Sequence, residues 1–350
     1  MTMDPEFRFD IAALVRKNIA ALTPYSSARD EFAGEASVFL DANENPYPSD
    51  YHRYPDPHQK ELKNKIARLK NVQADQVFIG NGSDEAIDLL FRAFCEPGVD
   101  EALAPQPTYG MYAVSAAINN ITMKAVPLTR GFDLDVSATL AACSARTKLL
   151  FLCSPNNPSG NLLSVDGVTA LIKNFRGLVI IDEAYIDFAS QPGWLPVLNA
   201  YPNVVVLQTL SKAWGLAGLR LGLAFASAPI ISILDKIKPP YNINTISQRV
   251  ALLQLDDVAR KNQEVTEILE QRKWLATELR ALNCVKHIYP SEANFLLVRV
   301  TAAGDVYRQL TAKGIVVRDR SNVQWCDNCL RITVGTPTEN QRLIDELKQI

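Results

Sequence analysis

A lysine, an aspartate and a tyrosine stand directly after two apolar runs of this sequence. Lys212 follows the run Val204–Gln208, whereas Asp182 and Tyr185 follow Leu178–Ile181. Burial lowers the pKa of a lysine amine, which frees the nitrogen to attack a carbonyl carbon. A nearby carboxylate can pair with a protonated pyridine nitrogen, and a phenol can donate to an oxygen on the same ring. Together they predict covalent chemistry on a pyridine cofactor, although Lys212 alone could be a surface lysine and Asp182 a helix cap.

Two other segments add groups that suit such a ligand. Asn157 precedes a proline in S-P-N-N-P-S-G, so its backbone is pushed out of the α region and its side chain can point inward. Gly80–Glu85, with the sequence G-N-G-S-D-E, opens a helix whose glycines and free backbone N–H groups can hold a phosphate. Taken singly, the first segment could be an ordinary turn, and the second is weak evidence.

All four groups follow predicted strands. Ligands in open α/β sheets bind beyond the carboxyl ends of the strands, so we expect the four groups to meet there. A phosphate cradle, a ring-oxygen donor, an acid for the pyridine nitrogen and a Schiff-base lysine predict pyridoxal 5'-phosphate. The combination is much more specific than any of its members.

The elements that must position these groups are short apolar strands separated by helices. This alternation predicts an α/β fold whose mostly parallel sheet is covered by helices on both faces. The predicted strands are Val77–Ile79, Leu149–Cys153, Leu178–Ile181, Val204–Gln208 and Leu221–Phe225, and the helices between them include Asp84–Phe94 and Val165–Phe175.

The pattern changes near Ile246 and predicts a smaller C-terminal α+β domain. Ser247–Leu282 is a long helical stretch with a possible break at Asp256 and Asp257. We therefore predict a large domain over residues 36–245 and a small domain over 246–350, preceded by an N-terminal arm over 1–35. The first seven residues look like a cloning remnant. The segments after the long helical stretch are Phe295–Val300, Val306–Ala312, Ile315–Arg318, Leu330–Val334 and a closing helix from Glu339.

Composition excludes several classes of partner. The formal net charge is −2, and no dense cluster of Lys and Arg indicates a nucleic-acid surface. No apolar run approaches the roughly 20 residues that a membrane helix needs, and the order of a secretory signal is absent. The 6 cysteines are scattered, which favours free thiols in the cytoplasm. Cys326 and Cys329 lack the further ligands of a zinc site and are interpreted as ordinary thiols in a loop.

The order of the motifs resembles the fold-type I pyridoxal-phosphate-dependent aminotransferases, and most of all their histidinol-phosphate aminotransferase branch. The likeness covers almost the whole chain after Phe7. The motifs are G-S-D-E, N-N-P-S-G, D-E-A-Y and S-K…G-L-R-L-G, with R-K-N-I-A-A-L-T-P-Y-S-S-A-R, D-A-N-E-N-P, R-Y-P-D-P and S-E-A-N-F typical of the branch. Ser159 and Trp214 depart from the usual residues, but neither removes a functional atom.

The resemblance implies a role for each candidate residue. Lys212 would carry the cofactor as a Schiff base, Asp182 would pair with the ring nitrogen, and Tyr109 would stack on the ring. In a homodimer, Tyr54 would reach the cofactor phosphate of the neighbouring subunit from the proline-rich segment 45–57. The implied cofactor-binding residues are Ser83, Asp84, Tyr109, Asn157, Asp182, Tyr185, Ser211, Lys212, Arg220 and Tyr54. The implied substrate-binding residues are Tyr25, Tyr241, Arg318 and Arg331.

The predicted reaction converts L-histidinol phosphate and 2-oxoglutarate to imidazole acetol phosphate and L-glutamate in histidine biosynthesis. Two alternatives share nearly every motif: a threonine-phosphate decarboxylase and an aminotransferase of broad aromatic specificity. A regulator built on this fold would need an added DNA-binding domain, for which the length leaves no room. A nucleotide-binding module would need G-x-G-x-x-G or G-x-x-x-x-G-K-[ST] in context, and neither is present.

Overall fold

The computed structural model describes residues 9–26, 31–32, 34 and 37–350. The proposed cloning remnant lies outside this part of the chain. The α-helices are α1 (Ile11–Leu14), α2 (Lys17–Ala21), α3 (Lys60–Lys70), α4 (Ser83–Phe94), α5 (Met111–Ile118), α6 (Val136–Ala142), α7 (Val165–Asn174), α8 (Ala228–Ile237), α9 (Thr245–Gln254), α10 (Val258–Arg280), α11 (Ala303–Ala312) and α12 (Pro337–Leu347). The strands are β1 (Val77–Asn81), β2 (Glu101–Gln106), β3 (Thr122–Pro127), β4 (Thr147–Cys153), β5 (Leu178–Asp182), β6 (Val204–Thr209), β7 (Leu221–Phe225), β8 (Val285–Ile288), β9 (Phe295–Val300), β10 (Arg318–Asp319) and β11 (Cys329–Thr333).

The large sheet has seven strands in the order β1-β7-β6-β5-β4-β2-β3. Its pairs are parallel except that β7 runs antiparallel to both β1 and β6. Because β7 is reversed, its first residue lies at the same edge as the last residues of β1 and β6. The predicted α/β class and the mostly parallel sheet are confirmed.

Side chains of the central strands alternate between two buried layers. Phe151 packs with α4 and α8 on one face of the sheet, whereas Leu150 and Leu152 pack with α3 and α7 on the other. A strand that is covered on both faces has no polar side, which is why these segments are uninterrupted apolar runs. The two helical layers leave the carboxyl edge of the strands open for polar residues.

The second sheet is antiparallel and has the order β10-β11-β9-β8. Val298, Leu330 and Ile332 point to one side of it and pack against α10, α11 and α12. We propose that this sheet and its helices form the small domain over residues 246–350. The predicted break in the long helical stretch is confirmed, because Asp257 caps α10 by accepting a hydrogen bond from the Arg260 N–H at 3.0 Å.

Three strands were not predicted, and one segment was placed wrongly. Strand β2 contains Pro105, β3 is a largely exposed edge strand, and β8 has only four residues, so none forms an apolar run. The segment 315–318 contributes only its last residue to β10. Cys329 begins β11 rather than lying in a loop, because its backbone joins the β9 ladder.

The described residues include neither a helix that could span a membrane nor a metal-binding cluster. No helix in this part of the chain is long and apolar enough to cross a membrane. It contains no cluster of three or more His, Cys, Asp or Glu side chains that could hold a metal ion. All the cysteines are free thiols, and Cys326 and Cys329 are both buried.

Candidate active site

A polar cavity opens at the carboxyl edge of the large sheet. The ends of β1, β4, β5 and β6 meet there with the beginnings of α4 and β7, as the strand-end argument predicts. Nine of the predicted residues line it: Ser83, Asp84, Tyr109, Asn157, Asp182, Tyr185, Ser211, Lys212 and Arg220. Its other lining residues are Cys153, Ala184, Thr209 and Ala217.

Lys212 lies just beyond β6 and lines this cavity. Burial lowers the pKa of its amine, the charge of Arg331 lowers it further, and the charge of Asp182 opposes the decrease. The Lys212 Nζ atom lies 5.6 Å from the centre of the Tyr185 ring. An amine in this setting is neutral more often than an exposed lysine, which suits it to attack a carbonyl carbon.

Asp182 ends β5 and is 3% exposed. Burial raises the pKa of its carboxyl group, and two hydrogen bonds oppose that rise. The Tyr112 hydroxyl donates to Oδ2 at 2.6 Å, and the Ala184 N–H donates to Oδ1 at 3.1 Å. No lysine, arginine or histidine among the described residues forms an ion pair with Asp182. The carboxyl group of Asp182 is therefore buried and has no ion-pair partner among the described residues.

Tyr112 was missed as a functional residue. Its hydroxyl reaches Asp182 from α5, and its ring stacks on Phe151 with 4.7 Å between the ring centres. No local signal in the sequence marked it, because Tyr109 precedes α5 and the contact with Asp182 joins residues 70 positions apart. The two tyrosine rings meet edge to face at 5.5 Å.

The start of α4 forms an anion cradle. Gly82 precedes the helix with φ of 73°, a conformation that favours glycine, and its N–H donates to the Arg220 carbonyl oxygen at 2.7 Å. The guanidinium of Arg220 lies beside Gly82, and a Cβ there would stand 2.7 Å from Nη2. Behind the cradle, a Cβ on Gly222 would overlap the backbone of Gly82 and Ser83. The first N–H groups of α4, which a helix leaves unbonded, and the Arg220 guanidinium, which lies 3.9 Å from Asp84 Oδ2, thus border one place that suits a phosphate.

Two side chains flank this cradle. The Tyr109 hydroxyl donates to Asp84 Oδ1 at 3.1 Å, which holds the tyrosine at the cavity wall. Ser211 shares a hydrogen bond with Thr209, with 3.0 Å between their hydroxyl oxygens. Thr209 is a cavity residue that the sequence did not single out.

The small sheet contributes Arg331 to the same region. Its Nη1 donates to Asn157 Oδ1 at 2.6 Å, and its guanidinium lies 5.4 Å from the centre of the Phe295 ring. Arg318 lies opposite Arg331 in the β10–β11 ladder and is exposed. Arg331 is partly buried, and this burial lowers the pKa of its guanidinium.

The remaining predicted residues lie outside the cavity. Tyr54 and Tyr241 stack on each other with 4.5 Å between their ring centres, and both line a separate surface depression together with Arg53. Tyr25 is 70% exposed. None of these three tyrosines lines the cavity that contains Lys212.

The family model for aminotransferase class I and II matches residues 37–347 of this chain. The chain belongs to the class I and II aminotransferases. Histidinol-phosphate aminotransferase of Cytophaga hutchinsonii is 54% identical over 344 residues, which cover 97% of this chain and 99% of that protein. The enzyme of the same name from Parabacteroides distasonis is 54% identical over 341 residues, which cover 97% and 99% of the two chains.

Solved structures show the same aminotransferase fold. The histidinol-phosphate aminotransferase of Clostridium acetobutylicum matches with a TM-score of 0.78 at 22% identity, over 85% of this chain and 90% of that one. The L-threonine-O-3-phosphate decarboxylase of Porphyromonas gingivalis matches with a TM-score of 0.73, also at 22% identity, over 85% and 90% of the two chains. At this identity the likeness shows the fold alone, and the fold is common to both activities. The predicted family and fold are confirmed.

Proposed function

We propose that this aminotransferase uses pyridoxal 5'-phosphate to convert L-histidinol phosphate and 2-oxoglutarate into imidazole acetol phosphate and L-glutamate. The observation that carries the proposal is that Lys212, Asp182 and the α4 anion cradle share one cavity, with Arg331 at Asn157 beside it. The names of relatives at 49% to 54% identity over nearly the whole chain support the choice of amine.

The residues present fit the cofactor. The buried carboxyl group of Asp182 has no ion-pair partner in the part of the chain that the structure describes, and a protonated pyridine nitrogen would supply one. The backbone at Gly82 and the guanidinium of Arg220 suit a phosphate, and Lys212 suits an aldehyde carbon. When bound, pyridoxal phosphate would supply an electron sink for carbanion chemistry at the substrate carbon.

Lys212 would hold the cofactor and then move a proton. With its Nζ atom unattached, Lys212 would take a proton from the substrate carbon that bears the amine nitrogen. Burial keeps its pKa below that of an exposed lysine, so that the amine can accept this proton and return it. Asn157 would donate from its amide nitrogen to the ring oxygen, since its Oδ1 atom is occupied by Arg331.

The anionic end of the substrate would lie against the small sheet. Histidinol phosphate has no α-carboxylate, so its phosphate must be the anion that positions it. We propose that Arg331 and Arg318 receive this group, helped by Tyr25 and Tyr241. An arginine suits the task because its planar fork matches the oxygens of phosphate and carboxylate alike.

A coupled assay with 2-oxoglutarate tests the proposed reaction. Histidinol phosphate, aromatic amino acids and threonine phosphate are offered in turn to the cofactor-loaded protein. We expect histidinol phosphate to give the highest kcat/KM, with ping-pong kinetics because both partners use one site in turn. Release of carbon dioxide from threonine phosphate without transamination would assign the protein to the decarboxylases instead.

Tyr112→Phe should weaken the anchoring of Asp182. The variant keeps the ring that stacks on Phe151 and loses the hydroxyl that donates at 2.6 Å. Tyr112 supports the carboxyl group that would pair with the cofactor, and loss of such a supporting hydrogen bond should lower turnover about 10- to 100-fold. Because that hydrogen bond opposes the burial-raised pKa of Asp182, its loss should raise the pKa further, so activity should fall at a higher pH on acidification.

The readout for Tyr112→Phe is the pH profile of kcat, measured beside the thermal stability of the variant. Tyr201→Phe is the control, because Tyr201 packs on the core of the opposite sheet face. A pH profile that coincides with that of the wild type would show that Tyr112 only packs.

We also propose a cytoplasmic homodimer with a shared active site. Tyr54 lies in a depression outside the cavity of its own chain, in the segment that the resemblance places across a two-fold interface. Co-expression of differently tagged Lys212→Ala and Tyr54→Phe chains gives heterodimers with one complete site. These should have about half the wild-type activity per dimer, since a two-fold dimer has two equivalent sites.

Each homodimer of a single variant serves as the control for this mixing experiment. Tyr54→Phe keeps the ring that stacks on Tyr241, so a loss of activity reports the hydroxyl. A heterodimer no more active than the Lys212→Ala homodimer, or a fully active monomer, would contradict the shared site.

A further inference from the structure

One face of the small sheet looks toward the large domain. Along β11, Leu330 and Ile332 pack into the core of the small sheet and its helices. Cys329 belongs instead to the core that includes residues of the large sheet, together with Leu297 of the neighbouring strand. Because successive residues of a strand point to opposite faces, Arg331 shares the face of Cys329.

Arg320 lies on this same face. Arg318 is opposite Arg331 in the ladder, and the Arg320 N–H donates to the Cys329 carbonyl oxygen at 2.8 Å. The pairing thus continues past β10, and Arg320 stands opposite Cys329. Residues opposite each other in an antiparallel pair have their side chains on one face. Arg318, Arg320 and Arg331 therefore share the face that borders the cavity, as does Arg299, which lies opposite Cys329 in β9.

The guanidinium groups of Arg318, Arg320 and Arg331 have no anionic partner among the described residues. No acidic residue of the described chain forms an ion pair with any of them, and the Nε atom of Arg320 is buried without a hydrogen bond. Asp319, the nearest carboxylate in sequence, accepts from the N–H and the hydroxyl of Ser321 at 2.8 and 2.6 Å. Burial lowers the pKa of Arg320, and the charges of Arg331 and Arg318 lower it further.

The charge of Arg320 also affects Tyr185, a residue that lines the cavity. Burial raises the pKa of the Tyr185 hydroxyl, and the charges of Arg331 and Arg320 both oppose that rise. A partly buried cation beside two like charges destabilises the unliganded site, and an anion that enters between them removes this repulsion. The more negative the anion, the larger this gain.

We propose that Arg320 is a third anion-binding arginine and makes the site select a dianionic phosphate monoester over a monoanionic carboxylate. The proposal rests on the proposed function, and it deepens it by assigning specificity to a residue beyond Arg318 and Arg331. Arg320 would distinguish the two substrates, because histidinol phosphate offers a phosphate at this place and 2-oxoglutarate offers only a carboxylate.

The first test compares the two substrates in the Arg320→Gln variant. We expect kcat/KM for histidinol phosphate to fall about 10- to 100-fold, mainly through KM, because a hydrogen bond to a charged group is lost. The kcat/KM for 2-oxoglutarate should fall less than about fivefold, because Arg320 makes a weaker contact with a singly charged carboxylate. Arg320→Lys, which retains the charge, should lie between the variant and the wild type.

Arg308→Gln is the matched control, because it removes the same charge from an exposed arginine on α11. Its kinetics should equal those of the wild type. Equal losses on both substrates in Arg320→Gln, or none on either, would overturn the proposal. A wild-type protein that ignores histidinol phosphate would instead overturn the proposed function, which separates the two failures.

The second test does not depend on turnover. Inorganic phosphate is titrated into the cofactor-loaded protein, whose cradle is then filled, and Tm is followed. Phosphate should raise the Tm of the wild type and of Arg308→Gln more than that of Arg320→Gln, because a ligand stabilises the state that binds it. Identical shifts in all three proteins would overturn the role of Arg320 whatever the amine substrate is.

Discussion

Lys212→Ala is expected to abolish turnover, with a loss of about 10,000-fold or more. General acid–base catalysis alone contributes ~10²- to 10⁴-fold, and the covalent attachment is lost as well. The variant should also lack the absorption band of cofactor joined to the protein. A small primary amine added to the buffer should restore part of the activity, since it replaces the missing nitrogen without the backbone.

Lys238→Met is the matched control for this experiment. Burial lowers the pKa of Lys238 too, but its Nζ donates to the carbonyl oxygens of Pro57 and Pro240 at 2.7 and 3.1 Å. Its loss should reduce thermal stability and leave the absorption band in place. An unchanged absorption spectrum together with wild-type turnover in Lys212→Ala would refute the assignment of Lys212 as the residue that holds the cofactor.

Asp182→Asn should have the second largest effect. Removal of one partner of a buried ion pair costs about 3–5 kcal/mol, so cofactor affinity and turnover together should fall about 100- to 5,000-fold. Asp182→Glu should keep more activity because it keeps the charge. Its longer side chain nevertheless moves the carboxylate away from Tyr112 and Ala184. Cofactor titration and steady-state kinetics measure the two parts of the loss.

The Asn variant is informative because it is nearly the same size as the native residue. Its amide can still accept from Tyr112, so packing and that hydrogen bond persist while the charge is lost. Normal turnover in Asp182→Asn would show that the residue is a packing element at the end of β5.

The central strands and the residues after them were predictable because burial on both faces leaves an unmistakable apolar run. Lys212 and Asp182 follow such runs, and the sheet brings them into one cavity. Strands β2 and β3 carry no comparable signal, since one contains Pro105 and the other is an exposed edge. Their place in the sheet is decided by hydrogen bonding to neighbours, which local sequence does not display.

Contacts between distant segments were the part that the sequence could not supply. The Arg331–Asn157 hydrogen bond joins residues separated by 174 positions, and the Tyr112–Asp182 bond spans 70. Arg320 became a candidate only when its register opposite Cys329 was known. Tyr54 is a different case, because its proposed partner belongs to another copy of the chain.

Gly222 shows how a position can be intolerant to change without touching any ligand. A side chain there would overlap the backbone at Gly82 and Ser83, and the overlapping atoms belong to a helix start that cannot rotate away. In a saturation library of this protein, substitutions at Gly222 would therefore reduce activity as strongly as substitutions at the residues that take part in the reaction. The cause would be the close approach of β7 to the start of α4, where a Cβ atom on Gly222 would lie 2.0 Å from the Ser83 nitrogen.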